Sequence, residues 1–190
     1  AVSLLGEVFP KDSSQSESFA KLPVGAMDKE LAVDLTLAGY NHLELFVTRE
    51  IVPEMEEKIF ADKYAALKKL SIPTLYLNGF MGTEIKMVGP DADHDKIEQK
   101  SKIIFARARQ LGVSIITIGS AVSRKCPQGF EIAKARDQFS KMLGRIGPIA
   151  RDHGIRLTIE NLNSSETNIC TTIAESVEVI TAAGPDVFLT

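Results

Sequence analysis

Hydrophobic and polar residues follow two different periods along this chain, and the two periods alternate. Short runs of apolar and β-branched residues, clearest at 113–118, predict buried β-strands. Longer stretches, in which apolar residues recur every three or four positions, predict amphipathic helices. The predicted strands cover 22–27, 42–47, 73–77, 113–118, 156–159 and 187–189. The predicted helices cover 28–39, 53–70, 96–111, 130–153 and 172–184, and the last of them begins with a capping-box pattern, Thr172 to Glu175.

Six strands that alternate with five helices predict an α/β fold with a parallel sheet and the helices packed outside it. Because right-handed crossovers return each unit onto the previous one, the two usual architectures are a doubly wound sheet and an eight-stranded barrel. The chain has neither a Gly-x-Gly-x-x-Gly turn nor a phosphate-binding Gly-Lys-Ser/Thr loop, which disfavours the nucleotide-binding sheet. The serine-rich start is predicted to form an N-terminal arm or linker over 1–20, followed by one domain over 21–190.

Composition narrows the classes of partner. The 190 residues carry a net charge of −3 without a basic block, so no nucleic-acid partner is expected. No apolar run approaches the ~20 residues of a membrane span, so no membrane partner is expected either. The two cysteines are far apart and indicate neither a metal site nor a disulfide framework. The expected compartment is the cytoplasm, with export after removal of a signal as an open alternative, and homo-oligomerisation also stays open.

Two carboxylates stand out as candidates for chemistry. Glu160 follows the strand at 156–159, and at the C-terminal mouth of a parallel barrel an acidic residue would face a solvent-filled site. It is therefore a candidate for metal binding or proton transfer, although a strand-end salt bridge is equally compatible. Glu44 alternates with Leu43 and Leu45, which places it on the opposite strand face. It is predicted to point inward, either to position a substrate or to form a buried ion pair.

Four segments, in their order and spacing, resemble one known family. The segment 159–168 (Ile-Glu-Asn-Leu-Asn-Ser-Ser-Glu-Thr-Asn) is similar to the segment at the end of the fifth strand in xylose isomerase-like sugar phosphate isomerases and epimerases. The segment 118–130 resembles the loop after that family's fourth strand. The segments 39–45 and 184–189 resemble its second-strand entry and its approach to the sixth strand. The resemblance covers most of residues 22–190 and implies a TIM-type (β/α)8 barrel.

The resemblance also implies a divalent metal, Mn²⁺, Mg²⁺, Co²⁺ or Zn²⁺, at the C-terminal mouth of the barrel. Family members bind it through a glutamate ending strand five, an aspartate ending strand six, a histidine on strand seven and a glutamate on strand eight. Only the first of these ligands maps onto the chain, at Glu160. Since a typical barrel needs ~250 residues, this chain is predicted to contain only the first six strands and to coordinate the metal incompletely.

The function that the resemblance implies is a divalent-metal-dependent isomerase or epimerase, which acts on a small sugar or sugar phosphate through an enediolate. Glu160 would be both metal ligand and proton-transfer group. Glu166 matches a position that contacts substrate oxygens in ketose 3-epimerases of the family, and Asn163 would help it to orient the sugar. Arg124 would meet hydroxyl groups or a phosphate, although Arg124 and Lys125 would equally suit a solvated loop pair.

Two other functions stay open. A non-catalytic sugar-binding relative would keep the barrel and lack the chemistry. A metal-dependent abasic-site endonuclease, which resembles the same superfamily, would need histidines at the ends of strands three and four. The chain has Asn78 and Gly119 there, and its net charge is acidic, so the endonuclease is the weaker alternative.

Overall fold

The structure is a computed structural model that describes residues 2–3 and 29–190. Within these residues, six strands form one parallel sheet whose order follows the sequence. The strands are β1 (Val2–Ser3), β2 (Leu43–Phe46), β3 (Thr74–Asn78), β4 (Ile115–Ile118), β5 (Arg156–Ile159) and β6 (Val187–Leu189). The helices are α1 (Lys29–Leu37), α2 (Val47–Glu50), α3 (Glu57–Leu67), α4 (His94–Leu111), α5 (Ala121–Arg124), α6 (Ile132–Asp152) and α7 (Ile173–Ala183). The predicted α/β fold with a parallel sheet is confirmed.

The observed strands agree with the predicted ones except at the start of the chain. From β2 to β6, each strand begins and ends within two residues of its predicted bounds. The predicted strand at 22–27 lies outside the described residues. The neighbour of β2 in the sheet is β1, whose two residues the sequence analysis assigned to the N-terminal arm. The boundary between arm and domain, at 20, stays a prediction.

The second predicted helix, at 53–70, begins later than expected. A short helix, α2, follows β2 directly, and the longer helix α3 begins only at Glu57. Pro53 disfavours helical backbone at Val52, so the helical backbone is interrupted between α2 and α3. The buried guanidinium of Arg107 also donates a hydrogen bond to the Met55 carbonyl oxygen at 2.8 Å, which occupies an oxygen that a longer helix would use.

The two faces of the sheet differ in polarity, because successive residues of a strand point to opposite sides. One face belongs to the hydrophobic core beneath the helices, and its buried residues include Leu43, Leu45, Leu77, Ile116, Ile118, Leu157 and Ile159. The other face is largely polar. On it, the buried hydroxyl groups of Thr117 and Thr158 share a hydrogen bond of 2.9 Å between β4 and β5. Glu44 lies between two core leucines in sequence and therefore on the polar face.

Hydrogen bonds connect two loops at the C-terminal ends of the strands. The long loop between β3 and α4 reaches the turn after β4, where the Met87 N–H donates to the Ser123 carbonyl oxygen at 2.8 Å. The Ser123 hydroxyl donates to the Gly82 carbonyl oxygen at 2.9 Å. These bonds fix the short helix α5 over the strand ends. Within the described residues, no helix combines the length and the apolar character that a membrane crossing requires.

Candidate active site

Polar side chains from neighbouring strands meet where the strands end. Asn78 is the last residue of β3 and Glu160 directly follows β5, whereas Glu44 lies within β2, two residues before its end. The Asn78 Oδ1 and Glu160 Oε2 atoms each lie 3.0 Å from the point that a Cβ atom on Gly119 would occupy. Glu44 interacts with both Asn78 and Glu160. We name these residues, which come from four successive strands, the rim cluster: Glu44, Asn78, Gly119 and Glu160.

Gly119 provides the space in which the two oxygens approach each other. A methyl group at this position would press on the Asn78 amide oxygen and the Glu160 carboxylate at the same time. The next residue, Ser120, has a φ of 28°, which few residues other than glycine adopt. Its hydroxyl oxygen accepts a hydrogen bond from the Met81 N–H at 3.2 Å, and this bond helps to hold the turn. The chain therefore leaves β4 without placing a side chain in the cluster.

The environment of Glu44 disfavours its charged form. Burial raises the pKa of Glu44 above its ordinary value of 4.5, and the nearby Glu160 carboxylate raises the pKa further. A polar contact with the Asn78 side chain acts in the opposite direction. Repulsion between two neighbouring carboxylates in a half-buried site favours the uptake of a proton or a cation there.

We expect Glu44→Gln to stabilise the metal-free protein near neutral pH by about 0.5–1 kcal/mol. Because the folded-state pKa of Glu44 is raised, its contribution to stability is fully present below the ordinary value of 4.5 and is lost as the pH rises through the folded-state pKa. Glutamine does not ionise and escapes this loss, so the gain should vanish at about pH 4. Urea unfolding at the two pH values measures the difference.

The matched control for this substitution is Glu178→Gln, at an exposed position of α7. It should change the free energy of unfolding by less than about 0.5 kcal/mol at either pH. An equal gain for Glu44→Gln at both pH values would indicate a packing effect unrelated to ionisation. A loss of stability near neutral pH would show that the folded protein compensates the Glu44 charge.

Glu166 and Asn163 pair with each other in the loop that follows β5. The Glu166 carboxylate accepts hydrogen bonds from the Asn163 backbone N–H at 3.2 Å and from the Asn163 side-chain amide. The Asn163 Oδ1 atom also accepts from the Ser165 backbone N–H at 2.9 Å. Both side chains are exposed and thus accessible to a ligand. Their contact with a substrate stays a prediction.

Two side chains that the sequence analysis missed fix this loop. Asn168 exchanges two hydrogen bonds with the backbone of Cys126: its Nδ2 donates to the carbonyl oxygen at 2.9 Å, and its Oδ1 accepts from the N–H at 2.8 Å. The buried Glu175 carboxylate accepts from the Cys170 N–H at 2.6 Å and from the N–H of the following residue at 3.1 Å. The loop is therefore attached both to the segment after β4 and to the start of α7.

Arg124 does not lie in a solvated loop pair. Its side chain is 0% exposed, whereas the neighbouring Lys125 is exposed. The Arg124 Nη2 atom donates to the Glu160 carbonyl oxygen at 2.7 Å, and Nη1 donates to the Ile118 carbonyl oxygen at 3.3 Å. Its Nε atom is buried and has no hydrogen-bond partner among the described residues. This burial favours a contact with the protein itself over the sugar contact that the sequence analysis predicted.

The rim cluster offers a metal the right kind of donor. Carboxylate and amide oxygens suit Mg²⁺ and Mn²⁺, and Glu160 is the carboxylate that the resemblance assigns to the metal. In the part of the chain that the structure describes, no group of three or more His, Cys, Asp or Glu side chains is placed to hold an ion. The residues present therefore fit the chemistry of the expected cation but supply only part of its coordination sphere.

Comparisons with known proteins identify similar folds. A profile described as xylose isomerase-like TIM barrel matches residues 34–190, whereas no curated protein sequence matches the chain. The structure of D-psicose 3-epimerase in the presence of D-fructose has a TM-score of 0.70 and 18% identity, over 86% of this chain and 57% of that one. D-Psicose 3-epimerase from Clostridium cellulolyticum H10 with D-tagatose has a TM-score of 0.70 and 16% identity, over 87% and 58%. The IolI protein with a zinc atom has a TM-score of 0.64 and 15% identity, over 87% and 58%.

These comparisons confirm the predicted fold class. The parallel sheet with outer helices has the architecture of a xylose isomerase-like TIM barrel, of which the described residues contain six strands. Identities of this size support a shared fold and do not carry a shared activity. The chain also spans only 57% of the length of the first epimerase, so the activity of the whole protein is a matter for proposal.

Proposed function

Because this chain belongs to the xylose isomerase-like TIM barrel family, we propose that the full-length protein is a divalent-metal-dependent isomerase or epimerase of a small sugar or sugar phosphate. The reaction would proceed through an enediolate, which forms when a base removes the proton from the carbon beside a carbonyl group. The observation that carries the proposal is the position of the Glu160 carboxylate, which lies with the Asn78 amide oxygen beside Gly119 at the C-terminal ends of the strands, near enough to Glu44 for their charges to interact. Barrel enzymes have their active sites at that end.

Glu160 is the group that would move the proton. Its carboxylate is half-buried beside the space at Gly119, and no hydrogen bond to it is found among the described residues. A carboxylate in this position is able to accept a proton from a substrate that enters the cluster. The backbone of Glu160 is meanwhile held by Arg124, which limits the movement of the base relative to the substrate.

The other polar groups would bind the hydroxyl groups of the sugar. Burial raises the pKa of Glu44, which eases proton uptake there, and a protonated Glu44 would donate a hydrogen bond to the sugar. Asn78 presents an amide in the same cluster. Glu166 and Asn163 lie in the exposed loop after β5 and now bond to each other. On substrate binding, they would replace these hydrogen bonds with bonds to the sugar. A divalent cation bound to Glu160 would supply positive charge that stabilises the enediolate.

The structures of similar fold support a sugar as the substrate class. Two of them are D-psicose 3-epimerases with D-fructose or D-tagatose, and a third protein holds zinc. Epimerisation at C3 of a ketose and aldose–ketose isomerisation both begin when a base removes a proton next to a carbonyl group. The rim cluster suits either reaction, and the position of the carbonyl group in the bound sugar would decide between them.

Proton exchange with solvent tests the proposal before any product is known. The full-length protein is loaded with Mn²⁺ and incubated in D₂O with free and phosphorylated ketoses and aldoses, including fructose and tagatose. NMR follows the loss of the proton on the carbon beside the carbonyl group. We expect exchange in at least one sugar, arrest of exchange by a chelator and recovery with added Mn²⁺. Each sugar without protein serves as the control.

Other outcomes would contradict the proposal in different ways. Sugar binding without exchange would support the non-catalytic sugar-binding barrel. Exchange that resists the chelator would retain the sugar chemistry and overturn its dependence on a metal. If calorimetry showed that the protein binds neither Mn²⁺ nor any sugar of the panel, both the enzyme and the binding barrel would be wrong.

A further inference from the structure

Arg124 has the lowest exposed fraction of any charged side chain in the described part of the chain. A buried guanidinium costs several kcal/mol unless neighbouring groups compensate it. Desolvation lowers the pKa of Arg124, and the neighbouring Cys170, Glu160, Glu166 and Glu175 act in the opposite direction. Among the described residues, no carboxylate lies within salt-bridge distance of the guanidinium, so its direct partners are backbone carbonyl groups. Such a costly placement suggests a purpose beyond general packing.

The two carbonyl groups that Arg124 contacts mark the ends of two adjacent strands. Ile118 is the last residue of β4, and Glu160 is the first residue after β5. The shorter of the two hydrogen bonds, 2.7 Å, goes to Glu160. This bond restrains the peptide group of the residue whose carboxylate lies in the rim cluster. Because the side chain leaves the backbone at the adjoining Cα atom, a restrained peptide also restrains the direction of the carboxylate.

Arg124 is itself firmly attached. Its backbone N–H donates to the Ser120 carbonyl oxygen at 3.1 Å within the short helix α5. The preceding residue, Ser123, forms hydrogen bonds to Gly82 and Met87 in the loop after β3. The guanidinium therefore extends from a fixed segment and restrains the Glu160 peptide group relative to that segment.

We propose that Arg124 is a positioning residue, which holds the Glu160 carboxylate in the rim cluster by binding the Glu160 carbonyl oxygen together with that of Ile118. This inference rests on the proposed function of Glu160, and it adds the residue that orients the Glu160 carboxylate. It also replaces the role as a substrate contact that the sequence alone suggested for Arg124. Only a planar fork of donors spans both carbonyl groups, so lysine does not substitute for it.

The test compares Arg124→Lys and Arg124→Gln with Lys125→Gln, which changes the exposed neighbour and serves as the matched control. We expect both Arg124 variants to lower kcat and Mn²⁺ affinity by about 10–100-fold, the usual cost of losing a group that orients a metal ligand. The KM for the sugar should change less than about threefold, because Arg124 donates its hydrogen bonds to Ile118 and Glu160 and none to Glu166 or Asn163. The control should match the unaltered protein in all three quantities.

A merely structural arginine would give a different result. In that case the Arg124 variants would melt at a lower temperature, while kcat per folded molecule and Mn²⁺ affinity would stay within about threefold of the unaltered values. That result would overturn the proposal. If neither variant folds, a crystal structure of the unaltered full-length protein decides. A guanidinium bound to both carbonyl groups supports the proposal, and one turned away from Glu160 overturns it.

The failure of the proposed function would be visible separately. If the unaltered protein neither binds Mn²⁺ nor turns over any sugar, the proposed function fails whatever Arg124 does. Crystal structures of the unaltered protein and of Arg124→Lys then test the positioning role alone. A Glu160 carboxylate that is displaced or disordered in the variant supports the role, and one that keeps its place contradicts it.

Discussion

Glu160→Gln in the full-length protein is expected to lower kcat by about 10³-fold or more. Glutamine has nearly the same shape as glutamate, but it neither accepts the proton of the substrate nor provides the negative charge that a divalent cation prefers. The substitution should therefore also weaken Mn²⁺ binding. Steady-state kinetics with the sugar found by solvent exchange, and calorimetric titration with Mn²⁺, measure the two effects.

The same substitution should leave the fold intact. The Glu160 carboxylate accepts no hydrogen bond and forms no salt bridge within residues 29–190, so its loss leaves no partner unsatisfied. We expect the melting temperature of Glu160→Gln to stay close to that of the unaltered protein, since the lost repulsion from Glu44 is offset by the lost attraction to the buried Arg124 guanidinium. A large fall in kcat at an unchanged melting temperature would thus locate the effect in the chemistry.

Two companion variants make the result specific. Glu178→Gln, on the exposed surface of α7, controls for the loss of any single carboxylate and should leave kcat unchanged. Glu160→Asp keeps the charge and withdraws it by one methylene group, so it should retain more Mn²⁺ affinity than Glu160→Gln while it still impairs proton transfer. Turnover by Glu160→Gln equal to that of the unaltered protein would contradict the role assigned to this residue.

The local sequence was sufficient to predict most of the sheet. β4 and β5 are short runs of β-branched and apolar residues with a glycine nearby, and such a pattern depends little on distant parts of the chain. The position of Glu160 followed from this pattern, because the residue after a parallel strand lies at the C-terminal end of the sheet, where barrel enzymes have their active sites. The start of α7 was also predictable from Thr172, a residue that commonly caps helices; its hydroxyl oxygen accepts a hydrogen bond from the Glu175 N–H at 3.2 Å.

The interactions that the sequence did not predict are those between distant segments. Arg124 stands beside Lys125 in a polar loop, and nothing in the local pattern indicates that one cation is buried and the other exposed. Its burial depends on two carbonyl groups, one of them 36 residues away. The same is true of Asn168, whose partner lies 42 residues away. Such pairs become visible only when the folded chain places the loops side by side.

One part of a local pattern pointed to the wrong partner. Thr172 and Glu175 form the sequence of a capping box, in which the carboxylate returns to the N–H of the cap residue. In the structure, the Glu175 carboxylate instead binds the N–H groups of Cys170 and Thr171, and the Arg136 side chain at 2.8 Å. Because Cys170 has a φ of 56°, the chain turns there and presents these N–H groups together. The motif predicted the helix correctly and missed its role as an anchor of the loop.

Gly144→Val is expected to destabilise the folded protein by about 3 kcal/mol. Gly144 lies in α6, and a Cβ atom added there would be 2.9 Å from the carbonyl oxygen of Ala183 at the end of α7. A backbone atom has no alternative rotamer, so the two helices would have to separate and lose part of their apolar contact. Urea unfolding of the full-length protein measures the change in the free energy of unfolding.

Two further variants distinguish this clash from helix propensity. Gly144→Ala gains about 1 kcal/mol of propensity, which should offset much of the strain from its single methyl group. Ala133→Val, at an exposed position of the same helix, introduces the same β-branched residue at the protein surface and should cost less than about 1 kcal/mol. If Gly144→Val were no more costly than Ala133→Val, α7 would be free to shift against α6. The Glu175 anchor on α7 would then move with it, and the loop that bears Glu166 would lack the fixed support that the proposed reaction requires.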